Sequence, residues 1–298
     1  MTVVAFVVFS LLYLTPGDPA AVIAGDAATS EDIRRIRENL GLDEPFLVRF
    51  GGWVSDLARG DLGTSIFTKL PVTHLIAQRV EPTLALTVCT LLVAVLVAVP
   101  LGVLAAARAG TWIDRLVMGF SVLGFSLPVF VLAYILILTF SIELDWLPVQ
   151  GYQSLSEGFW EWLRHLILPS IALGTVYMAL IARITRATML DVLAHDYVRT
   201  AQAKGLTQPA VLVNHALRNA AVPIVTVVGI GIALLISGAI VTETVFAIPG
   251  IGRLTVDAIL RRDYPIIQGV ILIFSATYVL INLAVDLSYM FLDPRIRY

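Results

Sequence analysis

The sequence predicts an all-α membrane protein with six transmembrane helices, the first of them incomplete. Of its 298 residues, 58% are hydrophobic and 14% are charged, whereas an ordinary soluble domain is about 25% charged. The apolar residues also form runs of roughly 20 residues without a charge, which is the length that a helix needs to cross the hydrocarbon core. Four runs meet this requirement, at residues 84–107, 116–142, 219–242 and 264–285.

Two further spans are predicted from shorter runs. Residues 166–182 are apolar, and Arg183 and Arg186 can extend this span by placing their charged ends at the membrane surface. Residues 2–14 are apolar but too short to cross alone, and they lack the basic start and the small-residue cleavage site of a signal peptide. We interpret them as the outer part of a first span whose cytoplasmic end is missing.

The basic residues of the short loops indicate the orientation. If residue 1 faces the cytoplasm, the inner loops carry the excess of arginine and lysine that marks the cytoplasmic side. Both termini are therefore expected inside, and Trp146, Trp160 and Trp162 in the outer loop 141–165 match an interfacial aromatic belt. The basic residues on the inner side are Arg108, Arg115, Arg183, Arg186, Arg199, Lys204, Arg218, Arg295 and Arg297.

Residues 15–80 form an outer region after the first span. Ser30, followed by two acidic residues, is a plausible helix start, and Gly41 is the expected stop. A second amphipathic helix is predicted from Phe46 to about Ala58. We expect a small helical cap on the outer face, and a solvated loop without a function is the alternative. The predicted organisation has three parts, which are the first span at 1–14, the cap at 15–80 and a five-helix core at 81–298.

The composition excludes several classes of function. The formal net charge is −2, without the basic stripe that nucleic-acid binding requires. Cys89 is the single cysteine and the four histidines are scattered, so neither a disulfide framework nor a metal site is predicted. The chain contains no Gly-x-x-x-x-Gly-Lys-Ser/Thr motif, and the glycines at 250 and 252 follow a proline rather than a strand. We therefore predict no nucleotide, metal or catalytic site in this chain.

The cytoplasmic segment 183–218 carries one short basic stretch with clear helix signals. Asp196 is predicted to cap a helix that begins at Tyr197, because its carboxylate can accept an otherwise unsatisfied backbone N–H. Gly205 suits the left-handed position that follows a helix, and a second short helix is predicted to start at Thr207.

One face of this helix is flat. Tyr197, Ala201 and Gly205 recur every four residues and two of them are very small, whereas Arg199 and Lys204 lie off this face. Such a face lets another protein approach closely, which predicts a docking helix. The alternative is a helix that rests on the inner leaflet, but membrane-surface helices use large apolar residues rather than alanine and glycine.

The residues of a substrate path are harder to identify. Ser121, Ser126 and Pro128 are candidates, because a proline within a span marks a kink that could break the third span beside a cavity. Glu243 is a candidate because ionisable groups in spans are costly and usually functional. Ordinary packing for the first three residues, and anchoring at the membrane surface for Glu243, are the alternatives.

Several motifs occur in a fixed order over nearly the whole chain. They are LTPGDP at 14–19, GDLGTS at 60–65, RVEPTL at 79–84, YVRTAQAKGL at 197–206, HALRN at 215–219, ETVFAIPGIGR at 243–253, RDYP at 262–265 and LDPRIR at 292–297. In this order they resemble the inner-membrane permease subunits of ABC importers, in the branch that serves dipeptides, oligopeptides and nickel. Each motif alone is a weak signal, whereas the ordered set is highly specific.

The segment 197–206 is similar to the cytoplasmic EAA loop of this family, but the match is partial. Arg199 and Thr200 stand where the consensus has glutamate and alanine, whereas Ala201 and Gly205 are in register. The resemblance implies that this helix couples the chain to an ATPase subunit. The residues implied in coupling are Asp196, Tyr197, Arg199, Thr200, Ala201, Lys204, Gly205 and Leu206.

The resemblance also implies the fold, the location and the partners. The fold would be that of a type I ABC importer permease in the cytoplasmic (inner) membrane of a prokaryote, with a small extracellular helical loop region and a cytoplasmic coupling helix. The expected partners are a second permease subunit, two ATPase subunits that bind ATP and magnesium, an extracellular or periplasmic substrate-binding protein, membrane lipid and a short peptide as the substrate. The chain itself is expected to bind no cofactor and to catalyse no reaction.

Two alternatives stay open at this point. Within the family, nickel or sugar fragments could replace di- or oligopeptides as the substrate. Outside the family, a secondary transporter driven by an ion gradient would carry inverted repeats and a carboxylate near the middle of a span. The sequence shows neither feature.

Overall fold

The structure is a computed structural model that describes residues 1–14, 19–25, 28–39 and 41–292. Within these residues the regular elements are helices, and one isolated β-bridge joins Thr64 to Pro71. The all-α fold is therefore confirmed for the described part of the chain. The helices are α1 (Thr2–Leu14), α2 (Pro19–Ala24), α3 (Ser30–Asn39), α4 (Phe46–Ala58), α5 (Val72–Ala107), α6 (Trp112–Ser126), α7 (Val129–Leu136, continued by a π-helical turn, Ile137–Glu143), α8 (Phe159–Leu193), α9 (Asp196–Ala203), α10 (Gln208–Ala210, continued by a π-helical turn, Val211–Leu217), α11 (Ala221–Val245), α12 (Ile251–Arg261) and α13 (Tyr264–Leu292).

Three helices are long and apolar enough to cross a membrane, namely α5, α8 and the part Tyr264–Ser288 of α13. Two bent pairs pass the same test, one formed by α6 with α7 and its extension, the other by α10, its extension and the first part of α11. Counting each bent pair as one span gives up to five spans in the described residues. The multi-span helical fold is therefore confirmed. α1 has 13 residues, whereas a span needs roughly 20, so the predicted count of six spans, the first of them incomplete, is not confirmed.

The third predicted span, residues 116–142, is sharply bent in its middle. The axes of α6 and α7 differ by 105°. Leu127 is extended (φ −89°, ψ 123°), a conformation that the ring of Pro128 favours because it disfavours the helical conformation of the residue before it. Pro128 also lacks the N–H that would continue the helix. Pro128 therefore favours a break at this point, whereas the prolines at 82, 100 and 169 lie inside continuous helices.

The chain divides into two compact units, and unit 1 contains residues 1–80 and 253–277. Its helix α3 begins at Ser30 as predicted, and the capping residue is Thr29. The Thr29 N–H donates to the Asp32 carboxylate at 3.0 Å, and the Asp32 N–H donates to Thr29 Oγ1 at 3.3 Å. This reciprocal pair satisfies two N–H groups at the helix start, and the hydrogen bonds from Thr29 lower the pKa of Asp32.

The second cap helix, α4, has the predicted bounds and packs on α1 through aromatic rings. The ring centroids of Phe6 and Phe50 are 5.6 Å apart, and those of Phe9 and Phe46 are 5.4 Å apart. Both pairs meet edge to face, an arrangement that places the positive ring edge against the negative ring face. The aromatic side chains of α4 are therefore partly covered by the first helix.

Unit 2 contains residues 81–252 and the chain from 278 onward, and α8 is its central helix. α8 packs against α6, α7 and α11. Its residues Leu166 and Leu168 are buried in one cluster with Leu86 of α5 and Leu235 of α11. These four side chains are at most 2% exposed, so α8 provides the main support for the helices around it.

Glycines let α5 and α6 approach α8 closely. A Cβ atom at Gly102 of α5 would lie 2.6 Å from the Cβ atom of Thr185, and one at Gly124 of α6 would lie 3.2 Å from that of Ala179. The first distance is too short for any larger residue, and the second is tight. Small residues of this kind allow close helix contacts in membrane proteins, and here they fix the spacing of three helices.

Candidate functional site

The predicted coupling segment lies where α8 ends. α8 continues beyond the predicted span end at residue 182 to Leu193, and α9 begins after a two-residue turn. Thr207 is the N-cap of α10, and Pro209 stands in its first turn. The second short helix is therefore confirmed at the predicted place.

Asp196 does not cap α9, so this part of the prediction is wrong. His195 occupies the N-cap position with an extended backbone (φ −73°, ψ 147°), and no side chain caps the helix. A capping acceptor must sit on the residue with the extended backbone, and the turn after α8 places that residue at His195. Asp196 is the first helical residue. It lies 3.5 Å from Arg199 with its side chain 96% exposed, and its charge is favourable at the helix N-terminus.

The C-terminal end of α9 follows the prediction. Gly205 has a left-handed φ of +82°. Its N–H donates to the carbonyl of Gln202 at 2.9 Å, and the N–H of Leu206 donates to the carbonyl of Ala201 at 3.4 Å. These two bonds form a Schellman motif, in which glycine adopts the left-handed conformation without strain. Gly205 therefore determines where the helix stops.

α9 is attached to unit 2 by a small apolar contact. Val198 and Ala201 are 1% and 7% exposed, and they pack with Val211 and the partly buried Leu193. The predicted flat face needs a correction here, because Ala201 lies three residues after Val198 and shares the buried side of the helix with it. Ala201 thus forms the floor of a groove rather than part of an open surface.

This groove has a volume of about 380 Å³ and opens to the solvent. Its lining combines the aromatic ring of Tyr197, the apolar side chain of Leu206 and the positive charge of Lys204. The Thr200 hydroxyl at its edge donates to the carbonyl of Asp196 at 3.0 Å. A groove of this kind can receive a side chain or a helix end from another protein. Its lining residues are Tyr197, Thr200, Ala201, Lys204, Leu206 and His215.

The structure brings five of the eight predicted coupling residues together in this groove. Asp196 and Arg199 lie outside the groove as an exposed ion pair. Gly205 shapes the turn beside it. His215, which belongs to the motif at 215–219 but was not among the predicted coupling residues, joins the lining from the π-helical turn after α10.

Glu243 is enclosed at the opposite end of unit 2. Its side chain is 0% exposed, and its Oε1 accepts a hydrogen bond from Thr83 Oγ1 at 2.6 Å. Thr83 Oγ1 in turn accepts the N–H of Ile251 at 2.8 Å, so one hydroxyl joins α5, α11 and the start of α12. A Cβ atom at Gly250 would lie 2.2 Å from the Glu243 carboxyl carbon. The Glu243 carboxylate is enclosed in this structure, and its place on a substrate path stays a prediction.

The other path candidates differ in exposure. Ser121 is 2% exposed, and its hydroxyl donates to the carbonyl of Val117 at 3.0 Å within α6. It therefore faces no open space. Ser126 and Pro128 are exposed at the bend between α6 and α7, and the Ser126 hydroxyl donates to the carbonyl of Val122 at 2.9 Å. A path role for Ser126 and Pro128 stays a prediction.

A polar cluster around Glu81 was missed by the sequence reasoning. Its Oε1 accepts hydrogen bonds from the Tyr152 hydroxyl at 3.0 Å, from Ser154 Oγ at 2.7 Å and from the Leu155 N–H at 3.3 Å. Burial and the neighbouring Glu81 raise the pKa of Tyr152 to about 12. The cluster attaches the loop after α7 to α5. The one signal for this cluster in the sequence was the charge of Glu81 just before the apolar run that begins at residue 84.

Within the part of the chain that the structure describes, no three histidine, cysteine, aspartate or glutamate side chains form a group that could hold a metal ion.

Two family models match the chain. Residues 98–298 match the family described as "Binding-protein-dependent transport system inner membrane component", and residues 1–87 match the N-terminal model of the same membrane component.

Curated relatives align over nearly the full length. A probable peptide ABC transporter permease protein, y4tP, of Sinorhizobium fredii is 56% identical over 100% of this chain and 95% of its own length. A glutathione transport system permease protein, GsiC, of Escherichia coli is 45% identical over 99% of this chain and 94% of its own. A dipeptide transport system permease protein, DppB, of Alkalihalophilus pseudofirmus is 44% identical over 98% of this chain and 94% of its own.

A solved structure agrees with the fold. A chain of the inward-facing MetNI methionine ABC transporter superposes with a TM-score of 0.61, covering 74% of this chain and 97% of that chain at 19% identity. At this identity the likeness shows the fold alone. The two family models and the full-length relatives establish that the chain belongs to the family of inner-membrane components of binding-protein-dependent transport systems, the permease subunits of ABC importers.

Proposed function

We propose that this chain forms part of the conduit through which an ATP-driven importer moves short peptides across the inner membrane. The observation that carries this proposal is the set of full-length relatives, whose names specify peptides, glutathione and dipeptides. Glutathione is itself a short peptide, so the three names describe one class of substrate.

In this proposal α9 is the coupling helix and docks on a separate ATPase subunit, which binds ATP and magnesium. The open groove beside Tyr197, Thr200 and Lys204 supports this role, because it offers apolar surface and positive charge to a partner. The burial of Val198 supports it as well, since a short helix must be held firmly to transmit a displacement. The chain lacks the phosphate-binding loop motif, so hydrolysis is assigned to the partner.

The complete importer would contain two permease subunits, two ATPase subunits and a substrate-binding protein on the outer face. We place both termini of this chain in the cytoplasm, because the short loops on that side carry the excess of arginine and lysine. The substrate path would run between the two permeases near the exposed Ser126 and Pro128. When the ATPase pair closes on ATP, the two coupling helices approach each other and the spans shift from inward-facing to outward-facing.

Transport by the reconstituted importer tests this function. The chain is purified with its partner subunits, placed in proteoliposomes and supplied with the cognate binding protein. Tritiated dialanine and labelled glutathione serve as parallel probes. We expect uptake of a probe only when ATP is supplied on the ATPase side. Uptake driven by a proton or sodium gradient without ATP would refute the proposal in favour of a secondary transporter.

The docking role of α9 is tested at Gly205. Apart from its neighbours in the chain, no atom of the described residues lies within 4 Å of the position where a Cβ atom would be, so a new side chain here would point toward a docked partner. Gly205→Asp is expected to lower ATP-dependent uptake at least about tenfold, because a charge buried in an interface without a partner costs several kcal/mol. Co-purification of the ATPase subunits and uptake are the measurements.

Gly60→Asp is the matched control for this variant. Gly60 has a φ of +83° and equally open surroundings at the end of α4, so the backbone strain of the substitution is the same. ATPase co-purification should be unchanged in this control. Normal co-purification and normal uptake in Gly205→Asp would contradict the docking role.

A further inference from the structure

Asp114 and Arg186 form an ion pair between two helices at the α9 end of unit 2. Asp114 lies in the first turn of α6 and is 5% exposed, whereas Arg186 belongs to α8. Arg186 Nη2 donates to Asp114 Oδ2 at 2.7 Å, and Arg186 Nε donates to Oδ1. Two parallel bonds of this kind fix the orientation of the partners as well as their distance.

The same carboxylate holds the turn between α5 and α6. Asp114 Oδ2 accepts the N–H of Gly110 at 2.9 Å, and the left-handed φ of +78° at Gly110 makes this turn possible. A negative charge in the first turn of α6 is also favourable near the helix N-terminus. One side chain therefore joins the turn, the start of α6 and α8.

Buried side chains connect this ion pair to α9. Arg186 lies about two helical turns before the end of α8. Between these points Met189 and Val192 are buried in a cluster with Ala106 of α5, and Leu193 packs beneath Val198 of α9. Leu193 also packs against the first cluster, so packed side chains connect α9 to the last turns of α8, the helix that carries Arg186.

On the other side of the ion pair, α6 leads to the bend. The helix runs from Trp112 to Ser126, and its axis then turns by 105° after Leu127. We propose that Asp114 and Arg186 are positioning residues, whose ion pair transmits a displacement of α9 through α8 to α6 and hence to the exposed bend. This proposal rests on the proposed function of α9 as the coupling helix.

A purely structural role would make the pair replaceable. The cost of removing two charges from water offsets much of their attraction, so neutral replacements of both partners are often tolerated, whereas removal of one partner leaves a buried charge. Close packing at Gly124 and Ala179 already holds α6 against α8. A variant that is neutral at both positions therefore separates a structural role from a positioning role.

The experiment compares Asp114→Asn/Arg186→Gln with the wild type in the assembled importer in proteoliposomes. Uptake of tritiated dialanine per ATP hydrolysed is measured beside the rate of ATP hydrolysis. The double variant should assemble and hydrolyse ATP, while uptake per ATP falls about tenfold, the size expected when a coupling contact is lost. Arg186→Lys keeps the charge but loses the parallel bonds, so an intermediate loss of uptake per ATP is expected.

The matched control is Arg115→Gln/Asp191→Asn, which also removes one arginine and one aspartate from α6 and α8. Both residues are exposed, and uptake per ATP should stay within about twofold of the wild type. Wild-type coupling in Asp114→Asn/Arg186→Gln would overturn the proposal. If that variant fails to assemble, Arg186→Lys is the deciding variant, and wild-type uptake per ATP in Arg186→Lys overturns the proposal. Equal uptake by the wild type and Gly205→Asp would instead refute the docking role of α9.

Discussion

At the α9 end of unit 2, polar side chains border an open groove, whereas at the Glu243 end a carboxylate is enclosed. α9 is attached mainly through Val198 and Ala201, and most of its other side chains are exposed. Glu243 is 0% exposed and bonded to Thr83. α11 connects the two ends, since it begins after the coupling segment and carries Glu243 near its other terminus.

This difference separates positions that determine stability from positions that are available to a partner. Substitutions at exposed sites usually change the free energy of unfolding by less than about 0.5 kcal/mol. Overpacking, or a buried polar group without a hydrogen bond, costs about 1–3 kcal/mol. We therefore expect changes at the Glu243 end to affect folding and changes at the α9 end to affect coupling.

The largest loss of stability is expected for Gly252→Ala. The new Cβ atom would lie 2.7 Å from the backbone Cα atom of Ile240 and 2.9 Å from Glu243 Oε2. Since a backbone atom cannot move aside easily, the free energy of unfolding should fall by about 3 kcal/mol. The measurement is denaturant unfolding of the detergent-purified protein. Gly119→Ala is the control, because its Cβ position is open, and equal stability of the two variants would contradict the enclosed site.

A smaller loss is expected for Thr83→Val. The substitution keeps the shape but removes the hydroxyl that donates to Glu243 and accepts from the Ile251 N–H. Two buried polar groups lose a partner, so the expected loss is about 2 kcal/mol. Thr87→Val is the control on the same helix, because the Thr87 hydroxyl donates to the carbonyl of Thr83 at 2.8 Å, within its own helix. If Thr87→Val lowers the free energy of unfolding as much as Thr83→Val does, the hydrogen bonds of Thr83 to Glu243 and Ile251 contribute nothing specific to stability.

The smallest effect on stability is expected for Val198→Ala at the α9 end. The lost methyl groups should cost about 1 kcal/mol, and the cost should be local because the contact is small. Amide hydrogen exchange should become faster in α9 and stay unchanged in α8. Val213→Ala, at a position that is 56% exposed, should leave both helices unchanged. Faster exchange throughout unit 2 would show that α9 is not a separate element.

Local sequence signals predicted local structure well. The bounds of α4, the stop at Gly205 and the break before Pro128 depend on residues that are neighbours in the chain. Turn glycines, prolines and amphipathic periods act over a few residues, so a single sequence is enough to read them. The order of such motifs was also sufficient to identify the family.

Contacts between distant residues could not be predicted in this way. Thr83 and Glu243 are 160 residues apart, and Asp114 and Arg186 are 72 residues apart. Glu243 was interpreted as a path residue because carboxylates in spans are usually functional. The sequence could not predict that the chain at Gly250 and Gly252 packs closely against this carboxylate. The prediction that Ala201 lies on an open face was wrong for a similar reason. Ala201 packs with Val211, which belongs to another element of the fold.

The sequence by itself determined that this chain is a multi-span helical permease subunit of the importer family, since apolar length and motif order are properties of the chain. The tertiary structure decided which polar groups are enclosed and which face a partner. The reason is that burial and hydrogen bonding depend on the elements that pack together. The groove beside α9, the enclosed Glu243 and the Asp114–Arg186 pair each need at least two elements that are separate in the sequence.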